Sequence, residues 1–202
     1  MSNNVVINKE KNIVIKVDNR DYIFNYVEDI KPIYKEKVHC KEGSELDRFI
    51  WGIKKKDNYH DIPLVKSLQE YNVEELMQEK MFVEFEARLA KDSPGVYIWC
   101  IDNDIKYIDI IKNLKERIRE YGHICPDNIF KNGRSTNCRI NLKIGRDYMD
   151  NSDIKIYFYD TTSIDKNIEK ISKTERRKVE KLLINYFKQE EDKKTYLWNI
   201  NH

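Results

Sequence analysis

The sequence has few cysteines and no long apolar run, and each of these absences excludes a class of protein. Only 4 cysteines occur among 202 residues, and they lie singly without a C-x-x-C pair, which argues against a secreted disulfide framework. No stretch approaches the length of a membrane span, and the first residues show no apolar core behind a basic flank. We therefore expect a cytoplasmic protein with reduced thiols and no membrane partner.

An excess of charge of one sign is also lacking. The 37 Lys and Arg residues nearly balance the 35 Asp and Glu residues, so any binding to nucleic acid must come from a local basic patch. The chain is instead rich in tyrosine, with 13 of them, and 40% of its residues are apolar. This composition is too aromatic for a disordered chain and predicts a soluble globular protein.

The first 92 residues predict short strands followed by helices. Residues 4–29 alternate apolar and polar side chains in short runs, which is typical of small antiparallel strands, and residues 34–40 suggest one more. Helices are expected over residues 45–56, near 63–68 and over 73–91. No flexible linker follows, so the two predicted domains, 1–92 and 93–202, are expected to pack on each other.

Residues 95–117, GVYIWCIDNDIKYIDIIKNLKER, are the most informative stretch, because they predict two strands, a turn and the start of a helix. Tyr97 and Tyr107 are an even number of residues apart, so a turn with an odd number of residues, such as 102–104, places both rings on one face. The helix puts Arg117 at the border of an inner stripe formed by Leu114, Ile118 and Tyr121.

Residues 122–153 form a segment that is longer and less regular than ordinary connections. Its basic side chains suit either a surface that contacts nucleic acid or a solvated loop: Lys131, Arg134, Arg139, Lys143 and Arg146. Zinc ligands are conceivable among His39, Cys40, His60, His123, Cys125 and Cys138, but their spacings match no common zinc finger. We therefore do not expect a zinc site.

The last part of the chain predicts a strand, a helix and an anchored end. The strand covers residues 154–160, and Ser172 with Glu175 forms a capping box for a helix over 175–189. Glu180 lies at the edge of that helix's buried stripe, which comprises Val179, Leu182, Leu183, Tyr186 and Phe187. In the closing segment, KTYLWNINH, an aromatic anchor precedes Asn199.

These elements resemble the GIY-YIG nuclease family over roughly the C-terminal half of the chain. Residues 95–97, GVY, resemble the first motif, residues 107–109, YID, resemble the second, and residues 112–117, KNLKER, resemble the helix that leads to the family's arginine. Glu180 resembles the metal-binding glutamate of the family, and Asn199 resembles its terminal asparagine. Five elements in the family's order are a more specific signal than any one motif alone.

The resemblance implies an α+β fold of the GIY-YIG type, with a small antiparallel sheet flanked by helices and an N-terminal extension of β-hairpin and helix. It implies an endonuclease that hydrolyses DNA phosphodiester bonds with Mg²⁺ or Mn²⁺, of restriction, mobile-element or phage-related kind. The extension, residues 1–92, would contact DNA or mediate formation of a homodimer.

The resemblance also implies catalytic roles. Glu180 would hold the metal, Arg117 would neutralise charge that develops on the phosphate, and Asn199 would give hydrogen-bonding support. Tyr97 or Tyr107 would act as general base, although tyrosine has an ordinary pKa of about 10 and needs a nearby positive charge to lower it.

Further residues are candidates for proton transfer or for nucleic-acid contact. His123 could carry a proton, with a solvated loop histidine as the alternative interpretation. The candidate contacts to nucleic acid are Lys112, Lys115, Lys131, Arg134, Arg139 and Lys143.

The chain departs from the family at the second motif, where Asp109 replaces a glycine and Ile110 replaces a frequent lysine. The carboxylate adds bulk and a negative charge that repels phosphate; alternatively it points away, or it helps Glu180 to hold a cation. A catalytically inactive relative that binds nucleic acid or a protein is therefore the second hypothesis. Ordinary roles compete as well, since paired tyrosines in a hairpin commonly serve packing alone.

Overall fold

A computed structural model of the protein describes residues 5–8, 11–17, 20–34, 83–124, 135–162, 169–189 and 197–199. The helices predicted over residues 45–56 and 63–68 lie outside the described residues, as do nearly all of the strand predicted over 34–40 and both Lys131 and Arg134. The chain divides into two compact units, one comprising residues 1–30, 87–118 and 152–202 and the other comprising 31–86 and 119–151.

The described elements comprise eight strands and three helices. In chain order they are β1 (Val5–Asn8), β2 (Asn12–Val17), β3 (Arg20–Asp29), β4 (Ile33–Tyr34), β5 (Val83–Glu84), β6 (Gly95–Ile101), β7 (Asp104–Ile111), α1 (Leu114–Gly122), α2 (Ser135–Met149), β8 (Ile154–Asp160) and α3 (Glu169–Gln189). They confirm the mixed α+β class that the sequence predicts. Among the described residues, no helix combines the length and the apolar character needed to cross a membrane.

The first unit is built on an antiparallel sheet of six strands in the order β1-β2-β3-β8-β6-β7. Its N-terminal strands form because apolar and polar residues alternate with the period of a pleated strand. Ile13 and Ile15 of β2 lie opposite Phe24 and Tyr22 of β3. All of these side chains are buried, which confirms the antiparallel strands predicted for this part of the chain.

The predicted division at residue 92 does not coincide with the observed units. Strand β3 pairs with β8, so that Asn25 lies opposite Phe158 and Tyr26 opposite Tyr157. The N-terminal strands therefore continue the sheet of the C-terminal half instead of forming a separate extension. The sequence could not reveal this pairing, because β3 and β8 are more than 100 residues apart and share no local signal.

Helix α3 packs its apolar stripe on the sheet. Val179, Leu183, Tyr186 and Phe187 are buried, and they share one core with residues of β2, β6, β7 and β8. Leu182 is partly buried against the same core. The stripe predicted from the 3.6-residue period is thus confirmed, and Glu180 lies between two of its buried positions.

The second unit contains the short pair β4 and β5 and the helix α2. Ile33 lies opposite Glu84, and Tyr34 lies opposite Val83. Helix α2 packs on β5, and the side chain of Asn141 from this helix joins the two.

The helix predicted over residues 73–91 is wrong in its last part, since residues 83–84 form β5 and residues 85–91 are irregular. The stretch VEFEA fits both the period of a helix and the period of a strand. Val83, Phe85 and Ala87 are buried while Glu84 and Glu86 are exposed, which is the alternation of a strand. Pairing with β4 decides between the two patterns, and the sequence contains no local sign of that partner.

The irregular segment predicted over residues 122–153 is also wrong, because α2 occupies residues 135–149. Cys138, Ile140, Leu142 and Ile144 alternate like strand residues, and they are buried. The intervening polar side chains are buried as well, so residues 138–145 are enclosed on all sides of the helix. An enclosed helix loses the one-sided apolar stripe by which helices are usually identified.

Candidate functional site

The β6–β7 hairpin carries three of the residues that the sequence singles out, on one face of the sheet. Tyr97 lies directly opposite Asp109, and Tyr107 lies opposite Trp99, two residues further along. The rings of Tyr97 and Tyr107 are tilted by 57° with centroids 6.1 Å apart. The predicted placement of both rings on the same face is therefore confirmed.

The turn that achieves this placement differs from the predicted one. Ile101 pairs with Asp104, so the turn has two residues, and both Asp102 and Asn103 adopt a positive φ. Such conformations match the twist of a hairpin and are tolerated best by Gly, Asn and Asp. The extra residue that keeps the tyrosines in phase comes from a bulge at Lys106, where the register shifts.

Gly95 begins this hairpin because β6 runs very close to β8. A Cβ atom at this position would lie 2.2 Å from the carbonyl oxygen of Tyr159 and 2.4 Å from the Phe158 ring. Only glycine allows this approach. The glycine of the first motif therefore has a packing role.

Asp109 is the centre of the polar contacts in the hairpin. Its Oδ2 atom accepts hydrogen bonds from the hydroxyls of Tyr107, at 3.0 Å, and Tyr97, at 3.3 Å. The Nη2 atom of Arg117 lies 3.6 Å from the same oxygen. Its Oδ1 atom accepts a hydrogen bond from the backbone N–H of Ile110 at 2.8 Å. The carboxylate therefore points into the site and bonds the tyrosines, whereas the sequence had left its direction open.

Helix α1 presents Arg117 to this carboxylate. Asn113 caps the helix, since its Oδ1 atom accepts a hydrogen bond from the backbone N–H of Glu116 at 3.0 Å. Leu114, Ile118 and Tyr121 are buried, as predicted. The side chain of Arg117 is 22% exposed and that of Asp109 is 21% exposed, so the pair lies where buried and solvated regions meet.

Glu180 of α3 is electrostatically coupled to the hairpin. Burial, and then the negative charge of Asp109, raise the pKa of Glu180 to about 7. The positive charges of Arg177 and Lys181 act in the opposite direction. A carboxyl group whose ionisation is disfavoured by a neighbouring carboxylate gains from a cation placed beside it.

Asn199 secures the outer edge of the hairpin. Its Oδ1 atom accepts a hydrogen bond from the backbone N–H of Ile108 at 3.1 Å, and its Nδ2 atom donates to the carbonyl of Ile108 at 2.7 Å. The backbone N–H of Trp198 donates to the carbonyl of Lys106, the residue at the bulge. Asn199 thus holds the backbone between Tyr107 and Asp109, in accord with a supporting role.

Five further candidates lie among the described residues. His123 belongs to the second unit, where its Nε2 atom lies 3.5 Å from the carboxylate of Glu86. Lys112 and Lys115 are exposed at the start of α1. Arg139 and Lys143 are only 4% and 6% exposed, which leaves little of either side chain for the contact with nucleic acid that the sequence suggests. Their burial follows from the enclosure of α2.

A divalent metal would have two carboxylates available at this site. Within the described residues, no group of three or more His, Cys, Asp or Glu side chains is placed to hold a metal ion. Mg²⁺, however, commonly uses one or two protein carboxylates and completes its shell with water and phosphate oxygens. The mutual repulsion of Asp109 and Glu180 is compatible with such a cation.

The bonding of Asp109 to the tyrosines is the feature that sequence reasoning missed. The signal was present, because the parity that places Tyr97 and Tyr107 on one face also places Asp109 there, two residues beyond Tyr107.

Comparison with known proteins found no match to a family model, to a curated protein or to a solved structure. The resemblance to the GIY-YIG family therefore rests on the motifs of the chain itself.

Proposed function

We propose that the protein is a divalent-metal-dependent endonuclease that hydrolyses DNA phosphodiester bonds. The observation that carries the proposal is the convergence of Tyr97, Tyr107 and Arg117 on one oxygen atom. Two hydroxyl donors and a guanidinium around one negatively charged oxygen are the groups that bind and stabilise a phosphate oxygen. The order of elements supports the proposal, since hairpin, arginine helix, strand, glutamate helix and asparagine follow each other as the resemblance implies.

Each residue has a role that its surroundings support. Arg117, partly exposed at the edge of the cluster, would neutralise charge on a phosphate that takes the place of the Asp109 carboxylate. Glu180 and Asp109 would hold Mg²⁺ or Mn²⁺, which when bound supplies Lewis-acid polarisation of the phosphate. Asn199 acts through the backbone of Ile108 and is a positioning residue.

The tyrosines constrain the choice of general base. Each hydroxyl donates a hydrogen bond to Asp109, and this bond to a carboxylate favours the protonated form of the tyrosine. Tyr97 is fully buried and Tyr107 is 5% exposed. Either tyrosine can accept a proton from the attacking water only as a phenolate. Asp109 must therefore leave its present position first, after which the positive charge of Arg117 favours the phenolate.

A plasmid nicking assay tests the proposal. Wild type is expected to convert supercoiled plasmid to the nicked form with Mg²⁺, and Glu180→Gln is expected to slow this by about 100-fold or more, as for removal of a group that stabilises the transition state. Glu175→Gln is a matched control, because it removes a carboxylate from the same helix whose partner is Arg20.

Two results of that assay would contradict the nuclease proposal. Glu180→Gln that nicks DNA as fast as wild type would remove Glu180 from the chemistry. Wild type, Asp109→Gly and Asp109→Asn that are all inert with Mg²⁺ and Mn²⁺ would leave no hydrolytic activity to explain.

The second candidate is a catalytically inactive module that binds nucleic acid or a protein. The bonds of Asp109 to both tyrosine hydroxyls favour it, because they occupy the groups that catalysis needs. In the same assay, an inert wild type and an active Asp109→Gly variant would identify a silenced enzyme and favour this candidate.

A further inference from the structure

We propose that Tyr97, Tyr107 and Arg117 form a binding site for a phosphate group that the carboxylate of Asp109 occupies from within, as a built-in competitor of the ligand. This inference rests on the proposed function, since it takes a phosphate ester as the ligand of the same site. It adds that the site is closed in the present structure and that a ligand must displace Asp109.

The two tyrosine hydroxyls of the cluster donate to the same oxygen. A tyrosine hydroxyl has a single proton to donate, and both Tyr97 and Tyr107 donate theirs to Oδ2 of Asp109. An oxygen of an ionised carboxylate offers about two lone-pair sites, so these hydroxyls saturate it. A phosphate oxygen cannot receive the same protons while Asp109 remains in place.

The competitor is held in position by the fold. Asp109 lies directly opposite Tyr97 in the hairpin, and its Oδ1 atom accepts the backbone N–H of Ile110 at 2.8 Å. Asn199 holds the preceding residue, Ile108, through both its N–H and its carbonyl. An anion tethered this closely competes at a high effective concentration, whereas a free ligand must be drawn from solution.

The negative charges of the site also disfavour binding of a phosphate while Asp109 is in place. The carboxylate of Asp109 neutralises Arg117, from which it is separated by 3.6 Å, and Glu180 contributes further negative charge when ionised. A phosphate dianion therefore meets no net positive charge from the pair of Arg117 and Asp109. Replacing Asp109 with a neutral residue leaves Arg117 and two hydroxyl donors for the ligand.

The opening to solvent is at the ion pair. Tyr97 and Tyr107 are at least nine-tenths buried, while about a fifth of each charged side chain is exposed, 21% for Asp109 and 22% for Arg117. A phosphate group that approaches beside Arg117 therefore meets the carboxylate of Asp109 at the two hydroxyls.

Titration calorimetry with inorganic phosphate tests this inference on the full-length chain without metal. Asp109→Gly is expected to bind phosphate about tenfold or more tightly than wild type, which corresponds to about one charge-assisted hydrogen bond gained by the ligand. Asp109→Asn, which keeps a strand-compatible side chain of the same size, serves if the glycine variant does not fold and is expected to bind more tightly than wild type. Asp104→Asn is the matched control, since Asp104 lies at the start of the same strand with a side chain that is 68% exposed.

A double variant makes the result specific to the proposed donors. Asp109→Gly combined with Arg117→Ala is expected to lose the gain in affinity. The inference is overturned if both Asp109 variants bind phosphate no better than wild type, or if the gain persists without Arg117.

The measurement also separates this inference from the proposed nuclease activity, because binding of phosphate is read without any cleavage. A wild type that nicks DNA, with Asp109 variants of unchanged phosphate affinity, overturns the inference alone. A chain that is inert in every nicking assay, with Asp109 variants of increased affinity, supports the inference and overturns the nuclease proposal.

Discussion

Asp109 in the first unit and Asn141 in the second unit are both polar side chains at the centre of a hydrogen-bonded cluster, but their partners differ in kind. Asn141 is fully buried, and it bonds only backbone groups: the N–H of Val83 at 3.0 Å, the carbonyl of Val83 at 2.7 Å and the carbonyl of Tyr121 at 2.6 Å. Asp109 is partly exposed, and besides the backbone N–H of Ile110 its partners are side chains: it accepts hydrogen bonds from two tyrosine hydroxyls and forms an ion pair with Arg117.

The difference separates a structural cluster from the one that we propose to be functional. Backbone partners cannot leave without unfolding an element, so the bonds of Asn141 join α2 to β5 permanently. Side-chain partners can exchange one acceptor for another, and a charged acceptor can be replaced by a charged ligand. A buried polar residue indicates binding or catalysis when its partners are side chains that a ligand could use.

The largest expected effect is the loss of stability in Asn141→Leu. The substitution leaves buried backbone groups of Val83 and Tyr121 without their partner, and we expect the free energy of unfolding to fall by about 3 kcal/mol. Urea unfolding followed by circular dichroism measures the change.

The exposed Asn25 of β3 provides the control for that experiment. Asn25→Ala removes an amide side chain from the surface, and its effect is expected within about 0.5 kcal/mol of wild type. If Asn141→Leu were equally harmless, the distinction drawn between backbone and side-chain partners would fail.

The next effect is a dependence of stability on pH that originates at Glu180. Its pKa is raised from an ordinary value of 4.5 to about 7, first by burial and then by Asp109. Between these values the folded protein keeps a proton that the unfolded chain has lost, so the free energy of unfolding falls as pH rises through this window. Allowing for partial exposure, we expect a fall of roughly 2 kcal/mol between pH 4.5 and 7.

Urea unfolding at a series of pH values measures this dependence. Glu180→Gln is expected to flatten the curve over the window, and Asp109→Asn is expected to reduce its slope by removing one cause of the shift. Glu175→Gln on the same helix keeps Glu180 and should retain the slope. A slope that survives in Glu180→Gln would mean that another group is responsible.

The smallest expected effect is that of Asn199→Ala. The loss of two hydrogen bonds to Ile108 at the partly exposed edge of β7 is expected to lower the free energy of unfolding by about 1 kcal/mol. The same variant should weaken the hold on Asp109 and so bring phosphate affinity closer to that of Asp109→Gly, which calorimetry measures. An unchanged phosphate affinity would show that Asn199 supports the strand but not the position of the carboxylate.

The hairpin, α1 and the buried stripe of α3 were predictable from sequence to the level of individual side chains, although α3 begins at Glu169, before the capping box predicted at Ser172 and Glu175. The faces of the hairpin, the buried stripe of α1 and the stripe of α3 follow from periods of two and 3.6 residues, which depend only on local geometry. The two-residue turn with its bulge at Lys106 was not predictable, because a three-residue turn satisfies the same parity.

The second unit contains the elements that the sequence did not predict correctly. Residues 83–87 satisfy the alternation of a strand within a longer helical pattern, and pairing with β4 selects the strand. Helix α2 is buried around its circumference. Its polar side chains, including Arg139 and Lys143, are therefore buried although their charge suggests exposure. In both cases the deciding partner is distant in the chain.

The sequence alone determined which residues are candidates for the site, because local periodicity and motif order depend only on neighbours in the chain. The tertiary structure decided what Asp109 does. A carboxylate two residues beyond Tyr107 shares its face by parity. Only the pairing of β7 with β6 and the approach of Arg117 bring two hydroxyl donors and a guanidinium to one oxygen. Contacts between elements distant in sequence depend on packing, which no local pattern records.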